Sequence, residues 1–211
     1  MKIFAETKKR FKLSMIIVIL VASVISPAIS NAYEYYGWWN DPYKMIPGIS
    51  SGTYIVDTID NYNYNGKVFM FQTAWNSAMD EWNNRTEANI QNSINVSGPE
   101  RIRMRGENYG NVGLQGWVTV YKNNVVVGDG DATPLPVTSG WDYAIATLNA
   151  HSLRDYTYPQ YRAVGIHELG HALGLNHETD GTPSIMNDKL YPPNSYLVPQ
   201  QDDINGINNL Y

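Results

Sequence analysis

Cysteine is absent from this sequence of 211 residues, and charged residues make up only 17% of it. Without cysteine, an exported chain must be held together by packing and metal binding, because no disulfide can form. Basic residues are the scarcer charged type, with 15 Lys and Arg against 20 Asp and Glu, which gives a net charge of −5. This acidic balance argues against a protein that binds nucleic acids through a basic surface.

The first 32 residues have the features of a secretory signal peptide. Five basic residues precede an apolar stretch, residues 13–26, that is too short to span a bilayer comfortably and ends before Pro27. Ser30-Asn31-Ala32 then offers small residues at the two positions that a signal peptidase reads, so cleavage is predicted after Ala32. The alternative is an uncleaved membrane anchor, whereas a lipoprotein anchor would need a cysteine.

Cleavage at this position would leave residues 33–211, which carry a net charge of −9 and suffice for one domain. The mature protein is expected to be secreted or extracellular, with association with the cell wall as a further option. It is expected to be a monomer with no stable membrane insertion and no nucleic-acid partner.

Three of the four histidines fall in the run His167-Glu168-Leu169-Gly170-His171-Ala172-Leu173-Gly174-Leu175-Asn176-His177. Residues four apart lie above one another on an α-helix, so His167 and His171 can direct imidazole nitrogens at one ion. Glu168 is rotated by about 100° around the helix and would lie beside that ion, where a base can act on a metal-bound water. His177 can join them only if the chain turns, and Gly174 can adopt the left-handed conformation of a helix C-cap. The pattern predicts a hydrolytic site with one zinc ion and three histidine ligands.

This pattern, H-E-x-x-H-x-x-G-x-x-H, resembles that of the metzincin clan of zinc endopeptidases, in which a methionine turn follows downstream. Ser184-Ile185-Met186 resembles that turn, and the resemblance implies that Met186 forms an apolar floor beneath the histidines. Residues 199–211 resemble the last helix of the matrixins. There, paired aspartates, here Asp202 and Asp203, brace the methionine turn and the mature N-terminus. Without the family, both aspartates simply complement the positive end of a helix dipole.

Glu178, which follows the third histidine, is similar to the glutamate that astacins carry at this position. The chain is therefore most similar to a small bacterial matrixin-like protease with one astacin-like feature. The resemblance implies an α+β fold with a twisted, mixed five-stranded sheet and an antiparallel edge strand. It also implies a long scaffold helix, an active-site helix and a small C-terminal subdomain that ends in a helix.

Apolar residues recur at intervals of three and four over residues 67–82, which predicts the scaffold helix. The active-site helix is predicted to start near Pro159 and to end at Leu173. A strand is predicted over residues 143–149. By resemblance this strand is the edge that holds an extended substrate, and the substrate-edge residues are Ala144, Ile145, Ala146, Thr147 and Leu148.

Three other segments leave alternatives open. The aromatic-rich residues 33–50 are expected to be an arm that packs on the catalytic domain (51–211), but a short prosegment or a sugar- or wall-binding strip has the same composition. Gly128-Asp129-Gly130-Asp131 is read as a turn, with calcium binding as the alternative. Residues 101–105 predict a half-buried strand whose arginines face solvent, with a basic recognition patch as the alternative.

The function predicted from these features is that of a secreted zinc-dependent endopeptidase. It would hydrolyse protein or peptide substrates through a zinc-bound water activated by Glu168. The alternative is a zinc-containing surface- or wall-binding module with weak or vestigial protease activity. The presence of Glu168 argues against that alternative, because a binding module has no need of a base.

Overall fold

The computed structural model describes residues 33, 35–38, 41–42, 44, 53–92, 100–129, 138–187 and 196–211. Predictions for residues 1–32, for part of the 33–50 arm and for Gly130 and Asp131 lie outside these described residues. Within the described ranges, no helix is long and apolar enough to cross a membrane.

The described residues form ten strands and three helices. In chain order these are β1 (Gly37–Trp38), β2 (Asp41–Pro42), β3 (Thr53–Val56), β4 (Asp60–Tyr64), β5 (Lys67–Met70), α1 (Phe71–Arg85), β6 (Gln91–Asn92), β7 (Glu100–Glu107), β8 (Gly116–Lys122), β9 (Val125–Asp129), β10 (Tyr143–Asn149), α2 (Tyr158–Leu173) and α3 (Gln201–Leu210). Two of the pairs, β1-β2 and β4-β5, are separate antiparallel ribbons.

The main sheet is mixed and has the strand order β6-β3-β7-β10-β8-β9. The pairs on one side, β6-β3, β3-β7 and β7-β10, are parallel, and the pairs β10-β8 and β8-β9 are antiparallel. Its five longer strands agree with the predicted mixed five-stranded sheet of an α+β fold. The two-residue strand β6 adds a sixth strand at one edge.

The predicted substrate-edge strand is not an edge. Residues 144–148 of β10 pair in parallel with β7 and antiparallel with β8, so β10 lies inside the sheet and its backbone groups are used on both sides. The strand itself has the predicted bounds, Tyr143–Asn149. Its neighbours could not be predicted, because strand order depends on contacts between distant segments. Its antiparallel neighbour, β8, lies next to the edge strand β9.

The scaffold helix α1 begins at Phe71 and not at Lys67 as predicted. Asn65 and Gly66 have positive φ values of 50° and 82°, which form a tight turn and pair β5 with β4 as a hairpin. Asp60 then accepts hydrogen bonds from the backbone N–H and the hydroxyl of Thr73, at 2.9 and 2.6 Å. The hairpin and these two hydrogen bonds of Asp60 together set the start of α1.

Two tryptophans of α1 fix the position of α2 against the sheet. Trp75 and Trp82 are fully buried. The indole N–H of Trp82 donates to the carbonyl oxygen of Ile166 at 2.9 Å, and that of Trp75 donates to the carbonyl oxygen of Arg105 at 3.0 Å. These contacts join α1 to α2 on one side and to β7 on the other. Helix α1 thereby links the helix with the histidine motif to the sheet.

Asn149, the last residue of β10, organises the loop that leads into β8. Its side chain is fully buried. The amide N–H groups donate to the carbonyl oxygens of Gly110 and Leu114 at 3.0 and 3.2 Å, and the amide oxygen accepts from the backbone N–H of Tyr109 at 3.1 Å. Three half-buried backbone groups of the loop thereby gain hydrogen-bond partners.

We expect Asn149→Ala to lower the free energy of unfolding by about 3 kcal/mol, because a fully buried side chain is removed and three half-buried backbone groups lose their partner. Asn84→Ala is the matched control, since Asn84 is exposed on α1 and its replacement should change stability by less than about 0.5 kcal/mol. Urea unfolding followed by circular dichroism measures both. Equal stability of the two variants would contradict the role given to Asn149.

Candidate metal centre

Helix α2 carries two of the motif histidines, and the chain turns back at the end of this helix, before the third histidine. It begins with a capping box formed by Thr157 and Gln160, and it ends at Gly174, which has φ 114° in the left-handed region. The N–H of Leu175 donates to the carbonyl oxygen of Gly170 at 3.0 Å, which closes the turn. The chain reverses at the residue where the sequence predicted it, and His177 returns to the helix.

The three histidines converge on one point. The Nε2 atom of His171 lies 3.1 Å from that of His167 and 3.1 Å from that of His177, and the remaining pair is 3.2 Å apart. In the described part of the chain, these residues are the group of three or more possible ligands that could hold a metal ion. Nitrogens that bind one zinc ion tetrahedrally lie roughly 3.3 Å apart. The triangle therefore fits zinc with three imidazole ligands and leaves further coordination positions open.

Each helical histidine is oriented through its other ring nitrogen. The Nδ1 atom of His167 lies 2.7 Å from the carbonyl oxygen of Ile185, in the predicted methionine turn. The Nδ1 atom of His171 lies 2.9 Å from the carbonyl oxygen of Leu175 and 2.6 Å from the hydroxyl of Tyr36. A carbonyl can only accept, so Nδ1 carries the proton in these bonds and leaves the Nε2 lone pair directed at the site.

Met186 is buried and lies against helix α2. Gly170 of α2 faces it, and a Cβ added to Gly170 would overlap the sulfur of Met186, lie 3.0 Å from its methyl carbon and lie 3.2 Å from the ring of Trp82. The glycine thus allows close approach of the turn to the helix. This position is unspecified in the histidine motif, and only the tertiary contact explains its residue type.

Asp203 braces the turn that carries Met186. Its carboxylate accepts from the hydroxyl of Ser184 at 2.5 Å, from the N–H of Ile185 at 2.9 Å and from the N–H of Gln200 at 2.7 Å. Burial raises the pKa of the Asp203 carboxyl, and the hydrogen bonds counteract part of that rise. Asp202 and Asp203 both line a small recess beside Met186. Asp203 is the more deeply placed of the two, since it is buried and Asp202 is half-buried.

Glu168 is 2% exposed, and the start of β8 runs directly against it. A Cβ added to Gly116 would lie 2.6 Å from the Oε1 atom of Glu168 and 2.8 Å from the carbonyl oxygen of Thr147. No side chain fits there without displacing the carboxylate or the strand. The pairing of β9 with β8 covers Thr119 to Lys122, and within the described residues no strand pairs with residues 116–118 on that side.

Glu178 links the third histidine to the methionine turn. Its backbone N–H donates to the carbonyl oxygen of Met186 at 2.8 Å, and its carboxylate accepts from the N–H of Asp180 at 2.8 Å. Burial raises the pKa of Glu178 from 4.5 to about 7, with the neighbouring Asp180 carboxylate adding to the rise. The sequence indicated this residue only by its likeness to astacins.

The remaining predicted features lie elsewhere. The arginines of β7 are half-buried, and Arg103 and Arg105 lie 3.5 and 3.6 Å from the Asp57 carboxylate. Asp129 ends β9 and belongs to no group of possible metal ligands among the described residues, while its predicted companion Asp131 lies outside them. The sequence missed Tyr36 as a partner of His171, because nothing local signals a contact over 135 positions.

Comparisons with known proteins agree with this geometry. The family model described as Matrixin matches residues 53–211. A segment of 85 residues, 40% of this chain, is 35% identical to Metalloendoproteinase 1 of Glycine max and spans 22% of that protein's length. A solved structure titled "GM1 bound form of the ECX AB5 holotoxin" aligns with a TM-score of 0.55 at 15% identity, covering 85% of this chain and 88% of that one. At this identity the structural likeness concerns the fold alone.

We expect Gly170→Ala to destabilise the protein by about 2 kcal/mol, because the added methyl group must displace Met186 in a closely packed region. Gly165→Ala on the same helix is the matched control: its Cβ would meet Trp75 at 3.4 Å, an ordinary contact. Since alanine favours the helix, this control should be neutral or stabilising by up to about 1 kcal/mol. Thermal unfolding of both variants distinguishes overlap with Met186 from a general effect of alanine.

Replacement of Asp203 by alanine should lower the free energy of unfolding by about 3 kcal/mol, since three donors, two of them buried, would lose their acceptor. The neighbouring change Asp202→Ala removes a charge at the start of α3 and should cost about 0.5 kcal/mol. Chemical denaturation of both proteins provides the comparison. A loss for Asp202→Ala as large as that for Asp203→Ala would show that the brace is misassigned.

Proposed function

Because the chain belongs to the matrixin family, we propose that it is a secreted, zinc-dependent endopeptidase that cleaves protein or peptide chains. The observation that carries the proposal is the convergence of three Nε2 atoms, 3.1 to 3.2 Å apart, in a group that includes two buried histidines. Glu168 follows the first of them on the same helix. The family match and the partial match to a plant metalloendoproteinase support the same activity.

His167, His171 and His177 would hold one zinc ion through Nε2. Three neutral imidazoles leave the full charge of such an ion, which would polarise a peptide carbonyl and lower the pKa of water at the open position. The carbonyls of Ile185 and Leu175 keep the protons on the outer ring nitrogens, so the inner lone pairs stay available.

Glu168 is proposed as the base. A carboxylate on the face beside the three imidazoles can take a proton from the attacking water and then deliver it to the leaving amine. The close approach of β8 at Gly116 limits where this side chain can lie. Burial of the carboxylate, at 2% exposure, restricts competing contacts with bulk water.

The substrate edge is proposed on β8 and not on β10. Residues 116–118 begin with Gly116, which lies beside Glu168 and Thr147. Strand β9 pairs with β8 only from Thr119 onward. An extended peptide could add to this short edge through backbone hydrogen bonds. The edge would direct the peptide's scissile bond toward the histidines.

The alternative of a wall-binding strip in the aromatic arm has less support. Tyr33, Tyr35 and Tyr36 are 6%, 9% and 7% exposed, and they pack on the catalytic domain. Side chains buried in this way are not available to stack on a sugar. The signal peptide proposed for residues 1–32 rests on its basic and apolar composition.

The test is cleavage of casein by protein purified after expression of the full-length chain, with zinc content measured on the same samples. Glu168→Gln should keep one zinc per chain and lose most turnover, about a hundredfold or more. His171→Ala should lose stoichiometric zinc, whereas His151→Ala is the matched control and should keep both zinc and activity. His151 bonds to Tyr64 at 2.8 Å, away from the three converging histidines.

Three outcomes would contradict the proposal. Wild-type protein that contains one zinc but never cleaves casein would leave only a binding role. Undiminished cleavage by Glu168→Gln would remove Glu168 as the base. Cleavage that persists in chelator with no zinc bound would remove the metal from the reaction. The mass of the purified protein would also show whether the chain is cleaved after Ala32.

A further inference from the structure

The aromatic arm crosses the end of α2 that carries the metal-binding histidines. Tyr35 forms an isolated antiparallel bridge with Leu175, and its hydroxyl donates to the carbonyl oxygen of Gly206 in α3 at 2.9 Å. Gly206 lies against Tyr33, because a Cβ on this glycine would be 3.1 Å from the Cβ of that tyrosine. Just before residue 36, the arm is thus bound to the segment that follows α2 and to α3.

Tyr36 is held in place by contacts with two parts of the domain. Its backbone N–H donates to the carbonyl oxygen of Gly174 at 3.4 Å. Its ring packs edge-on against Trp141, with centroids 6.0 Å apart and an angle of 73°. Trp141 in turn donates its indole N–H to the carbonyl oxygen of Ala172 at 3.2 Å. These contacts fix the position of the phenol ring independently of the contact between its hydroxyl and His171.

The Tyr36 hydroxyl lies 2.6 Å from the Nδ1 atom of His171, and the two rings are 5.8 Å apart. His171 is completely buried, so water does not reach this nitrogen. Nδ1 already faces the carbonyl oxygen of Leu175 at 2.9 Å. The hydroxyl oxygen is therefore a second acceptor for one Nδ1–H, and the two acceptors on different segments restrict rotation of the ring.

We propose that Tyr36 is a positioning residue for the metal centre: its hydroxyl fixes the His171 ring and thereby strengthens zinc binding. This inference rests on the proposed function for the identity of the metal. Partners of the outer nitrogen orient a metal-binding imidazole and raise its basicity. The arm is accordingly part of the metal centre, although the residues that bind zinc all lie more than 100 positions later in the sequence.

The experiment compares Tyr36→Phe with Tyr35→Phe in the full-length protein. Both changes remove one buried hydroxyl from the arm and keep the ring, but only the first hydroxyl contacts a histidine. Zinc affinity is measured by competition with a chromophoric chelator, and thermal unfolding of the metal-free proteins reports any general structural loss. Tyr36→Phe should bind zinc about tenfold more weakly. Tyr35→Phe should keep wild-type affinity despite a similar fall in unfolding temperature.

A second readout examines the ligand geometry. With cobalt in place of zinc, the visible absorption bands should change in Tyr36→Phe and stay unchanged in Tyr35→Phe. Equal zinc affinities and identical cobalt spectra in the two variants would overturn the role of Tyr36. Equal weakening in both variants would also overturn it, because the effect would then come from arm packing alone. Failure of the wild-type protein to bind zinc or to cleave casein would instead reject the proposed function.

Discussion

The return of His177 to helix α2 is the constraint on which the rest of the structure depends. Two histidines four residues apart share a face of any helix, but the third joins them only through the left-handed turn at Gly174. Once the turn is made, three Nε2 atoms lie 3.1 to 3.2 Å apart. Such a concentration of lone pairs is unfavourable without a cation, so the surrounding contacts must hold the rings in place.

Those contacts come from three distant parts of the chain. The methionine turn accepts from His167 and is braced by Asp203 at the start of α3. The arm reaches His171 through Tyr36, and Glu178 joins the segment of the third histidine to Met186. The Asp203–Ile185 contact spans 18 positions and the Tyr36–His171 contact spans 135. The centre therefore depends on the packing of the whole domain more than on its helix.

Close approach between elements is the second physical theme. Gly170 lets Met186 lie against α2, and Gly116 lets β8 lie against Glu168, because neither position has room for a Cβ. Trp82 joins α1 to α2, and Trp75 joins α1 to β7. In a closely packed interior even one added methyl group forces neighbours to move. The glycines thus set how closely turn, strand and helix meet around the histidines.

The sequence by itself determined the three histidines, the base candidate Glu168, the turn at Gly174, the methionine segment and the α+β class. These follow from helical spacing, from the special backbone freedom of glycine and from a resemblance carried by one short motif. The tertiary structure decided that β10 is internal, that α1 begins after a hairpin, and that Tyr36, Gly116 and Asn149 contribute to the site or its support. Strand order and such contacts join residues many positions apart, and local periodicity carries no information about which distant segments meet.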